Sequence, residues 1–368
     1  MKHMDTDEKR LLSLERACGD LRRGHPVVVC DSSGKSLLVL PAEHANTATL
    51  GFFDGLASES FILLTSNRAL TLKVASKGWS VVRIARPQWM QANDIVALAD
   101  PTLDLATPMK GPFQRLEHKE TDLDKAAIKL AKWAHLLPAV VAAEIADAKA
   151  LVSKHGLLEV FAPDVLAADM TQASALKEVA SARVPLAGSE NTRLVSFRPQ
   201  TGGVEHIAIV IGEPSRRTPP LMRIHSECFT GDLLGSLKCD CGEQLRGAIR
   251  AIDAAGGGVL LYLAQEGRGI GLISKLKAYA LQDQGYDTVD ANTRLGFDVD
   301  ERIFAPAAEM LKLLGFTSVR LMTNNPNKVE GLERYGIKVV ERVAHAFPPN
   351  PHNEMYLATK KIKTGHIL

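Results

Sequence analysis

Apolar positions Leu11, Leu14, Ala17, Cys18 and Leu21 recur at helical spacing and predict a helix over residues 7–23 that Gly24 ends. The run from Pro26 to Cys30 reads as a buried strand. A turn at Asp31-Ser32-Ser33-Gly34-Lys35 returns the chain into a second apolar run, 37–40. Residues 122–135 have a helical pattern and lead into an apolar stretch that reaches Ile145. In the second half, a strand is predicted over 206–212, a helix over 243–255, a strand over 259–263 and a helix over 272–284. A further helix over 307–314, closed by Gly315, precedes a strand over 318–323. Strands and helices alternate without a uniform period or repeat, which predicts mixed α/β sheets. Between residues 168 and 191 the chain turns small and polar. At 368 residues it is too long for one ordinary core, so two domains are expected, 1–174 and 175–368.

Composition narrows the function classes. The hydrophobic fraction is 46% and the mean hydropathy −0.01. The longest apolar runs, such as Leu136–Ala143, fall short of the ~20 residues of a membrane span. The polar N-terminus has no signal-peptide core, so a cytoplasmic protein without a membrane partner is expected. Forty-four Lys plus Arg against 42 Asp plus Glu leave a net charge of +2. That balance argues against nucleic acid as a partner, while local basic residues could still hold a small polyanion. Five cysteines make an odd count, and a cytosolic disulfide framework is not expected. Cys18 and Cys30 read as buried structural thiols.

The other three cysteines lie within 14 residues: Cys228, then ten residues, then Cys239-Asp240-Cys241. Three thiolates suit zinc and exclude magnesium. A catalytic zinc keeps three protein ligands and one open position, whereas a structural zinc closes with a fourth, for which His225 is the obvious candidate. Spacing alone leaves both open. Two further segments leave a strand and open a helix. Gln265-Glu266-Gly267-Arg268-Gly269 could turn backbone N–H groups toward an anion. In Thr323-Asn324-Asn325-Pro326-Asn327-Lys328, a hydroxyl and a lysine could grip phosphate oxygens. Asp300-Glu301-Arg302, taken alone, reads as solvated helix surface.

Together these segments resemble GTP cyclohydrolase II over roughly Arg193 to Leu368. The likeness rests on Arg223-Ile224-His225-Ser226-Glu227-Cys228 with Cys239-Asp240-Cys241-Gly242, on Gln265 to Leu272, on Ala278 to Thr288, and on Thr323 to Lys328. The tail Asn353 to Leu357, Lys360 and Gly365-His366 also fits. The resemblance implies a cytoplasmic hydrolase, a homodimer, that converts GTP to 2,5-diamino-6-ribosylamino-4(3H)-pyrimidinone 5′-phosphate, formate and pyrophosphate. It implies that Cys228, Cys239 and Cys241 bind zinc, whose water attacks C8 of the guanine. Arg223 to Glu227, Gln244, Glu266, Gly267, Arg268, Thr288, Thr323 and Lys328 would contact GTP, with magnesium on its phosphates. Asp300 would accept a proton, Arg302 would act at the α-phosphorus and Tyr279 would lie near the reacting ring. An arginine is charged at neutral pH and a poor nucleophile, so charge stabilisation is the better role for Arg302. Two positions depart from the pattern: Ala264 and Lys238 each stand where arginine is usual.

Residues from about Leu14 to Asp164 resemble a 3,4-dihydroxy-2-butanone 4-phosphate synthase domain, through Gly24 to Asp31, Pro41-Ala42-Glu43, Ala97 to Pro101 and Glu144. The synthase's acidic run is replaced by Asp31 to Ser36, and its metal-binding histidine motif appears as Leu123-Asp124-Lys125. One retained carboxylate, Glu144, cannot assemble a divalent-metal site, so this half is expected to be a non-catalytic scaffold. Two other functions remain open from the residues: a catalytically inactive nucleotide-binding regulator with a structural zinc, and a bifunctional enzyme that keeps synthase activity. A hydrolase for a related purine triphosphate is a third.

Overall fold

The computed structural model describes residues 6–57, 59–348, 351 and 353. Of the tail expected to match the family, only Asn353 falls among them; residues 354–368 lie outside the described residues. The chain divides into two compact units, residues 1–168 with 273–300, and residues 169–272 with 301–368.

In chain order the first unit begins with helix α1 (Thr6–Arg22), strands β1 (Val27–Cys30) and β2 (Ser36–Pro41), α2 (Thr47–Leu56), β3 (Phe61–Thr65) and α3 (Ser66–Thr71). There follow β4 (Val81–Ala85), α4 (Ala92–Ala99), α5 (Asp122–Trp133), β5 (Ala139–Ile145), α6 (Ala148–His155), β6 (Glu159–Phe161) and α7 (Ala162–Ser174). The sheet order is β4-β3-β5-β2-β1-β6, antiparallel except for the parallel β1–β6 pair. One face of the sheet (Val27, Val29, Leu37, Val39, Leu63, Val140) packs on Leu14 and Leu21 of α1 and Ala127 and Leu130 of α5. The predicted helices over 7–23 and 122–135 and the predicted hairpin are therefore the elements that build this core.

The second stretch of chain gives β7 (Leu176–Arg183), β8 (Thr192–Pro199), β9 (His206–Ile211), β10 (Leu221–Ser226), α8 (Cys241–Ala254), β11 (Gly258–Leu263), α9 (Gly271–Asp283) and α10 (Thr288–Arg294). It ends with α11 (Ala305–Leu314), β12 (Ser318–Met322), α12 (Pro326–Arg334) and β13 (Lys338–Val343). The seven-stranded order is β13-β12-β10-β11-β9-β8-β7, with β13, β12, β10 and β11 parallel. Alternate residues of the central strands face opposite sides. Met222, Ile224, Val259 and Leu261 pack on Ala307, Leu311 and Leu314 of α11, while Leu221 and Leu260 pack on Ala248, Ile249 and Ile252 of α8.

Packing divides the chain differently from a single cut near residue 175. Near residue 175, α7 continues to Ser174 and β7 begins at Leu176. Residues 273–300 group with the first unit, and the first half supplies polar partners to them. Lys277 lies 3.3 Å from Glu43 and pairs with Asp100, and Thr65 Oγ1 donates to the Gly296 carbonyl at 2.7 Å.

Candidate metal and nucleotide site

The carboxyl ends of β10, β11 and β12 lie side by side in the second unit, where open α/β sheets bind ligands. Three loops leave these ends: Ser226 to Asp240, Ala264 to Ile270, and Thr323 to Asn325.

The first loop carries two of the cysteines, and Cys241 opens α8. The three Sγ atoms lie within 4.8 Å of one another, and Cys228 and Cys239 Sγ are 3.8 Å apart. A short π-helical turn, Phe229–Leu233, brings Gly231 against them. A β-carbon on Gly231 would lie 2.7 Å from Cys239 Sγ and 3.0 Å from Cys228 Sγ, so only glycine fits that approach. Hydrogen bonding to Cys228, with burial, pushes the Cys239 thiol up to about 11. Cys241 is raised well above its ordinary value by hydrogen bonding to Cys228 and Cys239, with burial. Three thiols so close, with Cys228 buried and the others partly so, resist ionising together, and a divalent cation reverses that preference. The donor set therefore fits zinc.

His225 is not placed as a fourth ligand. Its Nε2 lies 3.0 Å from each carboxylate oxygen of Asp232, and its ring stacks on Tyr262 at 5.6 Å and 18°. The Tyr262 hydroxyl and the Cys228 N–H both donate to Asp232 Oδ2 at 3.0 Å. Asp232 is thus the hub that ties the Cys228 backbone to the end of β10 and to β11. Burial holds the His225 imidazole below its usual range despite this carboxylate. Among the described residues, the cluster that could hold a metal consists of the three cysteines.

Behind the cysteines runs a polar chain. Arg223, 5% exposed, donates from Nη1 to the Met322 carbonyl at 3.0 Å and from Nη2 to Gln244 Oε1, and Gln244 Nε2 donates to Asp240. Burial lowers the Arg223 guanidinium to about 10, which leaves it charged at neutral pH. Its Nε, like Ser226 Oγ, is buried with no protein partner among the described residues. A buried polar atom without a partner costs about 1–3 kcal/mol, so both are ready to meet a ligand.

In the second loop Gly267 and Arg268 share φ 63° and Gly269 has φ 94°, three consecutive left-handed residues. The Gly267 N–H donates to its neighbour Glu266 at 2.7 Å, and Glu266 Oε2 accepts the Phe229 N–H at 2.6 Å. The carboxylate expected to meet GTP thus also closes this loop onto the cysteine loop, and an amide expected to face an anion is engaged by it. In the third loop Thr323 Oγ1 accepts the Asn325 N–H at 3.0 Å, and Lys328, 6% exposed, donates to the Ile224 carbonyl at 2.8 Å. Asn324 is bonded both ways to the His345 backbone.

The remaining predicted residues divide between the units. Arg302 belongs to the second, with its guanidinium 5.8 Å from the Phe304 ring centre. Tyr279 on α9, Thr288 at the start of α10 and Asp300 belong to the first. Of the two departures, Ala264 donates its N–H to His206 Nδ1 at 3.2 Å, and Lys238 is exposed.

The sequence model of GTP cyclohydrolase II matches residues 177–344. Over 366 residues, 98% of this chain and 95% of its own length, the GTP cyclohydrolase-2 of Azospirillum brasilense is 47% identical. The chain belongs to the GTP cyclohydrolase II family. It is accordingly a hydrolase. The GTP cyclohydrolase-2 of an Enterobacter species is 54% identical over 193 residues, 52% of this chain and 98% of that protein. Parabacteroides distasonis has a riboflavin biosynthesis protein, RibBA, that is 41% identical over 76% of this chain and 73% of its own length. Family membership thus extends beyond the matched half, because the Azospirillum relative aligns with the first half too. No described helix is long and apolar enough to cross a membrane.

Proposed function

We propose that the chain hydrolyses GTP to 2,5-diamino-6-ribosylamino-4(3H)-pyrimidinone 5′-phosphate, formate and pyrophosphate, in riboflavin biosynthesis. The observation that carries this reading is the three-thiol cluster at the carboxyl ends of parallel strands, beside the buried cations Arg223 and Lys328. Three bonds break, C8–N9, C8–N7 and the α–β phosphoanhydride, each with uptake of one water. Zinc held by Cys228, Cys239 and Cys241 supplies Lewis acidity and a water acidic enough to serve near neutral pH.

The protein groups divide the other work. Arg223, Arg268 and Lys328 offset the negative charge of the triphosphate, and a magnesium ion bound to its phosphates would add to that neutralisation as pyrophosphate leaves. Ser226, Gln244, Glu266 and Thr323 orient the nucleotide, with Ile224, Glu227 and Gly267 lining it. His225, fixed by Asp232, presents a neutral imidazole. Asp300 accepts a proton, Thr288 contacts the nucleotide and Tyr279 stands near the guanine. Arg302 stabilises charge at the α-phosphorus. A homodimer is the working assembly, which sedimentation checks. Incubation of zinc-loaded protein with GTP and magnesium, with mass analysis, tests the reading. Formate and the pyrimidinone are expected; zinc-loaded protein that releases neither would leave only a nucleotide-binding regulator.

The first half performs no synthase chemistry in this reading. Its retained Glu144 accepts from Arg83 Nη1 at 2.7 Å, and Arg83 Nε donates to the fully buried Asp124 at 2.9 Å. A guanidinium thus already neutralises the one retained carboxylate a divalent metal would need. Asp31 spends Oδ1 on its own turn, accepting from Ser33 N–H, Ser33 Oγ and Lys35 N–H. Both observations favour a scaffold over a bifunctional enzyme.

A further inference from the structure

The first unit contains a long-range polar frame around residues 273–300. Lys277 projects from α9 to Asp100, 7% exposed, and to Glu43 at 3.3 Å. Neither acid is loose. Asp100 Oδ1 accepts from Thr102 N–H and Oγ1, and Glu43 Oε2 accepts the Leu137 N–H at 2.9 Å. At the other end of the segment Thr65 Oγ1 donates to the Gly296 carbonyl at 2.7 Å and Asn67 Nδ2 to the Phe297 carbonyl at 2.8 Å. Phe297 is 1% exposed, and a β-carbon on Gly296 would meet Thr65 Oγ1 at 2.9 Å and Pro138 at 3.0 Å. Arg294 adds a contact to Asp104 at 3.6 Å.

The segment held between these anchors carries Tyr279 and Thr288 and runs to Asp300. Tyr279 lies two residues beyond Lys277, about 200° around the helix, so fixing Lys277 on one flank fixes the rotation that aims Tyr279 on the other. We propose that the first half is a positioning frame for the cyclohydrolase reaction, in which Asp100 and Glu43, acting through Lys277, hold α9 in register. This rests on the cyclohydrolase reading above. Asp100, Glu43 and Lys277 are positioning residues and touch no substrate. The lost synthase chemistry and the retained fold then have one explanation: what the first half contributes is the placement of residues 273–300.

The test uses the full-length, zinc-loaded chain and the variants Asp100→Asn, Lys277→Met and Lys277→Arg. Asp100→Asn keeps the Thr102 cap on its amide oxygen and replaces the charged acceptor facing Lys277 by an NH₂ that cannot accept from it. Asp100→Asn and Lys277→Met are expected to lower kcat by about ten- to a hundredfold, as small misplacements do. KM for GTP should stay within about twofold, because the phosphate-binding cations lie elsewhere. Zinc content and Tm should hold, amide exchange over 273–300 should rise while that of α8 does not, and Lys277→Arg should recover most of the rate. An unchanged kcat in Asp100→Asn and Lys277→Met overturns the inference alone. A joint fall in kcat, zinc content and Tm also overturns it, since that marks a merely structural role. A wild-type chain that releases no formate is seen before any variant is compared; it removes the functional reading and the inference with it.

Discussion

Asp232 accepts from three sides, and its removal gives a prediction with a worked size. In Asp232→Ala, His225 Nε2, the Tyr262 hydroxyl and the Cys228 N–H each lose a partner now 3.0 Å away. An orphaned buried group costs about 1–3 kcal/mol, and half-buried Tyr262 can turn to water, so about 3–5 kcal/mol is expected locally. Asp232→Asn should be far milder. Its amide oxygen can occupy the Oδ2 position and keep the tyrosine and cysteine donors, while its NH₂ donates to a neutral His225 in the other tautomer. The cost should then be about 1 kcal/mol, from the lost charge. Native-state amide exchange at residues 228–232 reads local opening without needing two-state unfolding. Chelator competition reads zinc affinity, which should fall by about 10–100-fold in the alanine variant. If alanine costs under about 0.5 kcal/mol, or the two variants behave alike, the hub as described is wrong.

Other outcomes follow from the same geometry. Cys239→Ser should abolish both zinc retention and formate release, read by metal analysis and GTP turnover. Arg302→Ala should spare ring opening more than the phosphate step, so formate should appear faster than pyrophosphate in a paired assay. Burial holds His206 and His345 down to about 4, against 6.5 when exposed. Below pH 6.5 the unfolded chain therefore binds more protons, and stability present above that pH should drain as pH falls toward 4, by about 1.4 kcal/mol per pH unit per histidine. Thermal unfolding across that range checks this, and His206→Gln should flatten part of the slope. Ribulose 5-phosphate with magnesium should be left unconverted by the full-length chain.

Much of the site could be read from residue order, because the chemistry sits in short runs: thiols at Cys228, Cys239 and Cys241, and an arginine and histidine at the end of one strand. What holds those runs together could not. Asp232 lies in Phe229-Thr230-Gly231-Asp232-Leu233, which carries no periodic signal, and its partner Tyr262 is 30 residues away on β11. Gly231 reads as an ordinary turn glycine until the sulfurs surround it. The helices and central strands followed their patterns because each buries one face or both. Residues 176–183 gave no such signal, since β7 is an edge strand whose residues after Leu176 are exposed. The pairing of Lys277 with Glu43 and Asp100 spans more than 170 positions, a separation that no local pattern encodes.

The cation inside the first half bears on how that half could change. Arg83 supplies permanently what a loosely bound metal supplies only when available, so the fold around Glu144 and Asp124 stands independent of magnesium supply. Reinstating the missing histidine and acidic run would therefore not bring lyase chemistry back. The incoming ion would face a resident positive charge at 2.7 Å from its first ligand, and Arg83 would have to leave as well. The route back to two activities thus passes through an intermediate in which the buried Asp124 carboxylate is uncompensated, which makes the loss hard to reverse one substitution at a time.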